Sequence, residues 1–410
     1  MGAAPALALA AVLGAGGDLG LEVGLRGEGQ ATSSRYANQA ATTLGVVVLT
    51  PTASISLLGP DQVLRASYAA ELRRPDLFGG GPTGLEVMQR ADARAETRII
   101  QTWRLSASAA GAYGRTDLFS EVRRDPTTLE PMRTTSVIEI SRLQATLEAT
   151  GDLDRRTTLT ASAQAYLSGG ANTASRLLFP ESRGVQALAS VAWKATRTDL
   201  LTARLSADES RISSTAAGPG SDAAFLTLAG IWRHRFDRDL EGWAGGGAAG
   251  SSAHPPGRAT AREEVMPVAQ AGLAWSGTRL PPPVETEDAP VPAPPAPRLH
   301  ASVLANLAPT LDRYTGQLED WVSADVEGSW RIDLPWTLSA RGRAAASGQR
   351  GIDRSATMTA TLDLAWSATR QVSVSLGTGA VWQRSDPVRG LPQFTQYRTI
   401  LAVTYGSGPL

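Results

Sequence analysis

The sequence predicts an all-β fold: a transmembrane antiparallel up-and-down β-barrel of about eighteen strands, with sixteen as the lower count. Three observations predict it. Apolar and polar residues alternate with period two over segments of about ten residues, the signature of strands with one face in lipid and one in a wet lumen. A Trp-turn fragment recurs at one end of these segments. Beyond the N-terminus no apolar run reaches the roughly 18 residues that a membrane helix needs.

Residues 2–17, GAAPALALAAVLGAGG, are small and apolar and read as the core of a secretory signal peptide. Ala15 and Gly17 suit the −3 and −1 positions of a cleavage site, which leaves 18–410 as one barrel domain. Candidate strands then centre near residues 25, 50, 68, 92, 108, 143, 162, 189, 205, 227, 245, 270, 304, 324, 341, 361, 377 and 400. The first two, and the Gly-rich one near 245, carry the weakest alternation.

Alternation is sharpest at 86–98. One parity holds Glu86, Met88, Arg90, Asp92, Arg94, Glu96 and Arg98, and the other holds Val87, Gln89, Ala91, Ala93, Ala95 and Thr97. Successive side chains of a strand point to opposite faces, so the charges share one face. The same pattern returns at 158–167, with Leu159, Ala161, Ala163, Ala165 and Leu167 against Thr158, Thr160, Ser162, Gln164 and Tyr166. At 318–331 it sets Val322, Ala324, Val326 and Trp330 against Glu319, Ser323, Asp325, Glu327 and Arg331. At 355–366 it sets Ala356, Met358, Leu362, Leu364 and Trp366 against a Ser/Thr row ending in Asp363.

The repeat is AWKATR at 192–197, AWSGTR at 274–279 and AWSATR at 365–370; Trp232 and Trp330 occupy the same place in other segments. A new strand begins soon after, at Leu200, Leu240, Trp336 and Val372 in four of the five cases. Trp favours the headgroup level, where its ring is apolar and its N–H stays wet. Trp193, Trp232, Trp275, Trp330 and Trp366 therefore read as one aromatic girdle, and the short turns beside them as periplasmic. Longer connections at about 116–134, 168–183, 211–221, 251–263 and 384–392 alternate with them. A soluble propeller would space its Trp motifs evenly, whereas here the spacing runs from 36 to 55 residues. Residues 280–297, LPPPVETEDAPVPAPPAP, break the pattern after Trp275 and read as a Pro-rich periplasmic linker in extended polyproline conformation.

The chain carries 39 basic and 39 acidic residues, which argues against nucleic acid as a partner. Lys194 is the only lysine, and there is no Cys, which removes disulfide, zinc-thiolate and thiol-nucleophile readings. His234, His254 and His300 are scattered, and no local motif supplies a nucleophile with a positioned base. Sequence thus points to no catalytic, cofactor-binding or metal-ligating residues. What remains is the lumen, with inward residues Arg65, Arg90, Asp92, Arg94, Glu96, Arg98, Arg104, Arg142, Glu148, Arg204, Asp208, Glu319, Asp325, Glu327, Arg341, Arg343, Asp363 and Arg398. Both signs are present, so weak selection by ion sign is expected. Inward Tyr166 and Trp321 are candidates for stacking on sugar rings.

The layout resembles outer-membrane porin-like barrels of Gram-negative bacteria over nearly the whole chain. In size, strand count, Arg- and Ala-rich composition and hairpins such as TPTASISLLGPDQVLRASYAAEL at 50–72, it also resembles the 18-stranded barrels of myxobacterial polysaccharide export. That resemblance implies an outer-membrane conduit with both termini periplasmic and a short periplasmic export (OPX) protein as partner. Outer-membrane lipid and the barrel-assembly machinery would be further partners. A final strand with Tyr397, Leu401, Val403 and Tyr405 would serve that machinery, although Gly406 to Leu410 follow it. A general diffusion porin for small hydrophilic solutes, or a structural or adhesive barrel, would share the same pattern.

Overall fold

The computed structural model describes residues 18–36, 40–75, 84–116, 137–213, 220–254, 261–277, 299–333, 335–348, 355–386 and 390–407. The expected signal peptide, the Pro-rich linker and nearly all of the 116–134 connection lie outside the described residues.

Eighteen strands follow one another: β1 (Asp18–Tyr36), β2 (Thr42–Leu58), β3 (Gln62–Pro75), β4 (Glu86–Ile100), β5 (Trp103–Thr116), β6 (Ile138–Asp152), β7 (Thr157–Gly170), β8 (Ser182–Lys194) and β9 (Asp199–Ile212) form the first half. The second half is β10 (Ser221–Arg235), β11 (Leu240–His254), β12 (Arg262–Gly277), β13 (Leu299–Leu311), β14 (Leu318–Asp333), β15 (Trp336–Gly348), β16 (Ser355–Ser367), β17 (Val372–Gln383) and β18 (Phe394–Gly406). Every strand pairs antiparallel with its neighbours in sequence, and β1 also pairs with β18 from Gly24↔Gly406 to Tyr36↔Phe394. The sheet is therefore closed, and no edge is left to template aggregation. Closure is also what lets strands cross lipid, since each backbone N–H and C=O finds a partner. The fold is the expected all-β barrel with eighteen strands. The Gly-rich segment near 245 forms a full strand because its backbone pairs on both sides, with β10 and β12.

The outer face is apolar and exposed: Leu205 is 46%, Leu226 58%, Leu228 64% and Leu376 52% accessible. An exposed apolar surface running around a whole molecule implies an apolar solvent. No described helix is long and apolar enough to cross a membrane. The buried core lies inside the barrel instead. Met88, Ile138, Ile140, Phe179, Val381 and Phe394 form one cluster near the end opposite the Trp residues.

Turn chemistry explains the Trp end. In the β6–β7 turn the Asp154 carboxylate accepts from the N–H of Arg156 at 2.6 Å and of Thr157 at 2.8 Å. Those bonds, the Arg156 N–H foremost, hold its carboxyl below the usual carboxylate range. Asp237 Oδ1 likewise accepts from the N–H groups of Asp239 and Leu240, at 2.7 and 2.8 Å. Thr196 Oγ1 accepts from Thr198 and Asp199, and Thr369 Oγ1 from Gln371 and Val372, all within 3.1 Å. The Thr of the recurring AWxATR fragment is thus a turn cap, a side chain standing in for a backbone acceptor.

Candidate functional site

The five girdle tryptophans all lie on the outer face beside the short turns, between 38% and 46% exposed. Trp366 stacks on Trp336, its cross-strand partner, at 5.9 Å between centroids. Trp232 Nε1 donates to the Asp199 carboxylate at 2.9 Å, and His234 Nδ1 lies 2.8 Å from the same oxygen. Each ring is apolar on its flank and polar at its tip, which suits a lipid headgroup boundary.

The candidate lumen residues fall into separate groups. Arg90, Asp92, Arg142, Arg204, Asp208 and Glu319 line one cavity of about 970 Å³ within the barrel. Toward the Trp end of β3–β5, Arg65 faces Arg94 and Arg98 faces Arg104 across the ladder. These like-charge pairs are relieved sideways: Arg94 reaches Glu96 at 3.5 Å and Arg98 reaches Asp61 at 3.8 Å. On β14 and β15 the register sets opposite charges face to face, Arg341 on Glu327 at 2.7 Å and Arg343 on Asp325 at 3.2 Å. Arg398 donates to Gln30 across the β1–β18 seam at 3.3 Å. Glu148 faces Ser106 and Ser162 across its two ladders, and Asp363 faces Ser339 and Gly377. Cross-strand ion pairs of this kind keep a wall polar while contributing little stability each.

The cavity also carries neutral groups, of which the sequence pattern singles out Tyr166 and Trp321 but not the amides as candidates. Gln164 faces Gln186 across β7 and β8, Gln144 faces Tyr166 across β6 and β7, and Gln270 faces Asn306 across β12 and β13. All of them line the cavity, with Phe225 and Trp321. Tyr166 lies against the backbone of Gly184: a Cβ there would sit 2.6 Å from the phenol oxygen and 2.7 Å from Cζ.

The far end of the cavity is bounded by two connections. The β7–β8 segment holds the helix α1 (Thr173–Leu178), capped by Asn172 Oδ1, which accepts from Ser175 N at 2.8 Å. Ser175 Oγ in turn accepts from the Glu139 N–H at 3.2 Å, and the Asn172 amide donates to the Glu139 carboxylate at 2.9 Å. Beyond the helix, Phe179 is buried against the inner faces of β4 and β6. Arg313, in the β13–β14 connection, stacks over the Phe179 ring at 4.1 Å, and Tyr314 donates to the Leu178 carbonyl at 3.3 Å. Six strands separate these connections along the wall, so the contact is a bridge across the mouth. The apolar triplet Leu177, Leu178 and Phe179 in a connection otherwise expected to be polar was the available signal for it.

Among the described residues no group of three or more His, Cys, Asp or Glu side chains could hold a metal ion.

The model of the EpsX exopolysaccharide export family matches residues 102–404, from the start of β5 nearly to the end of β18. No curated protein matches the chain. Among solved structures, the chain is similar to the apoprotein form of the FrpB iron transporter (F5-1 variant) from Neisseria meningitidis. The identity is 10%, the TM-score 0.50, and the match covers 94% of this chain and 81% of that one. It is also similar to OccK8 (OprE) of Pseudomonas aeruginosa, at 10% identity and a TM-score of 0.44, covering 96% of this chain and 98% of that one. At 10% identity the first likeness speaks to the barrel fold alone.

Proposed function

The chain belongs to the EpsX exopolysaccharide export family, and on that premise we propose that it is an outer-membrane conduit that exports a polysaccharide together with a periplasmic partner. The observation that carries the reading is the family match, laid over a closed barrel with an apolar exterior and an interior cavity lined in part by charged and amide side chains. The Trp end faces the periplasm in this reading, with β1 beginning and β18 finishing there, and the five tryptophans anchor the barrel in the inner leaflet. Apart from the connection that holds 280–297, the strands at that end are joined by two to four residues, against five or more at the other, which supports this orientation. The charged residues of the inner wall keep the path wet, and their mixed signs let counter-charges pair when no cargo is present. The 280–297 segment joins β12 to β13 at the Trp end. It is assigned as the strap that docks a short periplasmic export protein, since an extended Pro-rich chain binds without losing much conformational freedom.

The bridge between Phe179 and Arg313 favours a gated conduit over an open diffusion pore, because it spans the mouth at the far end. Deleting the gene should abolish surface polysaccharide while uptake of small hydrophilic solutes stays normal. Normal surface polysaccharide with reduced solute uptake would replace the export reading with a diffusion porin. Crosslinking through the 280–297 segment should capture one periplasmic protein; capture of none would remove the partner.

A further inference from the structure

We propose that the inner wall from β6 to β14 holds a binding site for a neutral, hydroxyl-rich polysaccharide chain, with Gln144, Gln164 and Gln186 as its polar contacts and Tyr166 as its stacking platform. The inference rests on the export reading and deepens it by naming the class of cargo.

Three observations carry it. The cavity wall is charge-balanced: four arginines line it against three aspartates and one glutamate. A conduit for a uronate, phosphate or sulfate polymer needs an excess of cations along its path, since rings of one sign set pore selectivity. Here the four arginines are matched by an equal number of carboxylates within the same cavity.

Second, amides are concentrated where the charges balance. Gln164 and Gln186 oppose each other, and Gln144 lies on the next strand at the same level as Tyr166. A carboxamide donates and accepts at once, as does a sugar hydroxyl, so an amide row can follow a hydroxylated chain at any of its rotations. Arginines and carboxylates each offer one role only.

Third, two aromatic side chains of the inner wall lie against glycines. Tyr166 rests on Gly184 within the cavity. Nearer the Trp end, Trp243 rests on Gly272, where a Cβ would lie 2.2 Å from Cζ2, and Arg233 sits 5.8 Å from its centroid. An aromatic ring on the wall brings an apolar surface within reach of the C–H face of a sugar.

The test uses the full-length barrel in detergent micelles, with tryptophan fluorescence as readout. The probes are maltohexaose, which is neutral, and hexamannuronate, which is anionic. Maltohexaose should bind more tightly than hexamannuronate. The Gln164→Ala/Gln186→Ala double variant should bind it about tenfold more weakly, as loss of two hydrogen bonds to a polar ligand predicts. Tyr166→Ala, made separately, should weaken it similarly. Both variants should keep the heat-dependent gel shift of the folded barrel. Equal or tighter binding of hexamannuronate, binding of neither hexamer, or unchanged affinity in both variants overturns the site. In parallel, the polysaccharide lost on gene deletion should be poor in uronate, phosphate and sulfate. A strongly anionic polymer overturns the cargo class and leaves the export reading standing, whereas a deletion that loses no polysaccharide overturns the export reading itself.

Discussion

Gly114 shows how one residue answers to the register of the whole sheet. It faces Met88 across β4 and β5, has φ of 139°, and a Cβ there would sit 2.1 Å from the Val87 carbonyl oxygen. An L side chain would be strained in that conformation and would also push the paired strand away. Gly114→Ala should therefore destabilise the barrel by about 1–3 kcal/mol. Gly230 is the control, since nothing lies within 4 Å of a Cβ built there. Gly230→Ala should leave the denaturant midpoint unchanged, and unfolding in micelles followed by Trp fluorescence compares the two. Residue-level sequence reading reaches such positions poorly. In AWKATR and AWSATR the Trp is conspicuous, whereas the role of Thr196 and Thr369 as turn caps emerges only from the bonds to the N–H groups two and three residues on.

At the scale of the element, period two is both the reason the strands were legible and the source of the clearest prediction. Leu205 and Ser206 are neighbours in the middle of β9, yet Leu205 stands on the exposed apolar face and Ser206 lines the cavity. Leu205→Arg should cost about 2–4 kcal/mol near the bilayer midplane. Ser206→Arg should cost far less, because that side chain enters a polar space. Equal effects of the two on refolding into bilayers would contradict the parity. Most of the strands were readable this way, because lipid on one side and water on the other press the same alternation onto each; it is weakest in the first two and in the Gly-rich β11, which left sixteen as the lower count. The connections carry no such constraint. The 168–183 segment reads in sequence only as one of the longer connections, but it contains α1 and buries Phe179. Its folding inward depends on Arg313 and Tyr314, which lie more than a hundred positions further on and signal nothing locally. The charge pairs tell the same story. Parity places Asp325 and Arg343 on a face, and only the register of β14 with β15 brings them opposite each other. Breaking the bridge with Phe179→Ala and Tyr314→Phe together should raise single-channel conductance in planar bilayers. An unchanged conductance would show that the α1 contact does not limit the path.

For the whole molecule the decisive contact is the seam where the first strand meets the last. Every other ladder joins strands that are adjacent in sequence and could form in an open, curled sheet. The β1–β18 ladder joins residues more than 350 positions apart and removes both edges at once. It also turns one face into an enclosed lumen, so the cavity, the amide row and the bridge across the mouth all depend on it. Because the chain has no Cys, the seam can be tested without background. Ala31 and Thr399 are register partners on the outer face, and antiparallel partners have Cα separations of about 4.5–5.5 Å, within disulfide reach. Ala31→Cys with Thr399→Cys should oxidise to an intramolecular disulfide in the folded barrel, giving a near-circular chain of altered mobility on a denaturing, non-reducing gel. Ala31→Cys with Leu376→Cys, on β17 beyond the partner strand, should stay reduced under the same conditions. If the first pair failed to crosslink, the sheet would be open at this seam. Lipid would then reach unpaired N–H and C=O groups, each costing several kcal/mol, and an enclosed path for a polysaccharide would lose its physical basis.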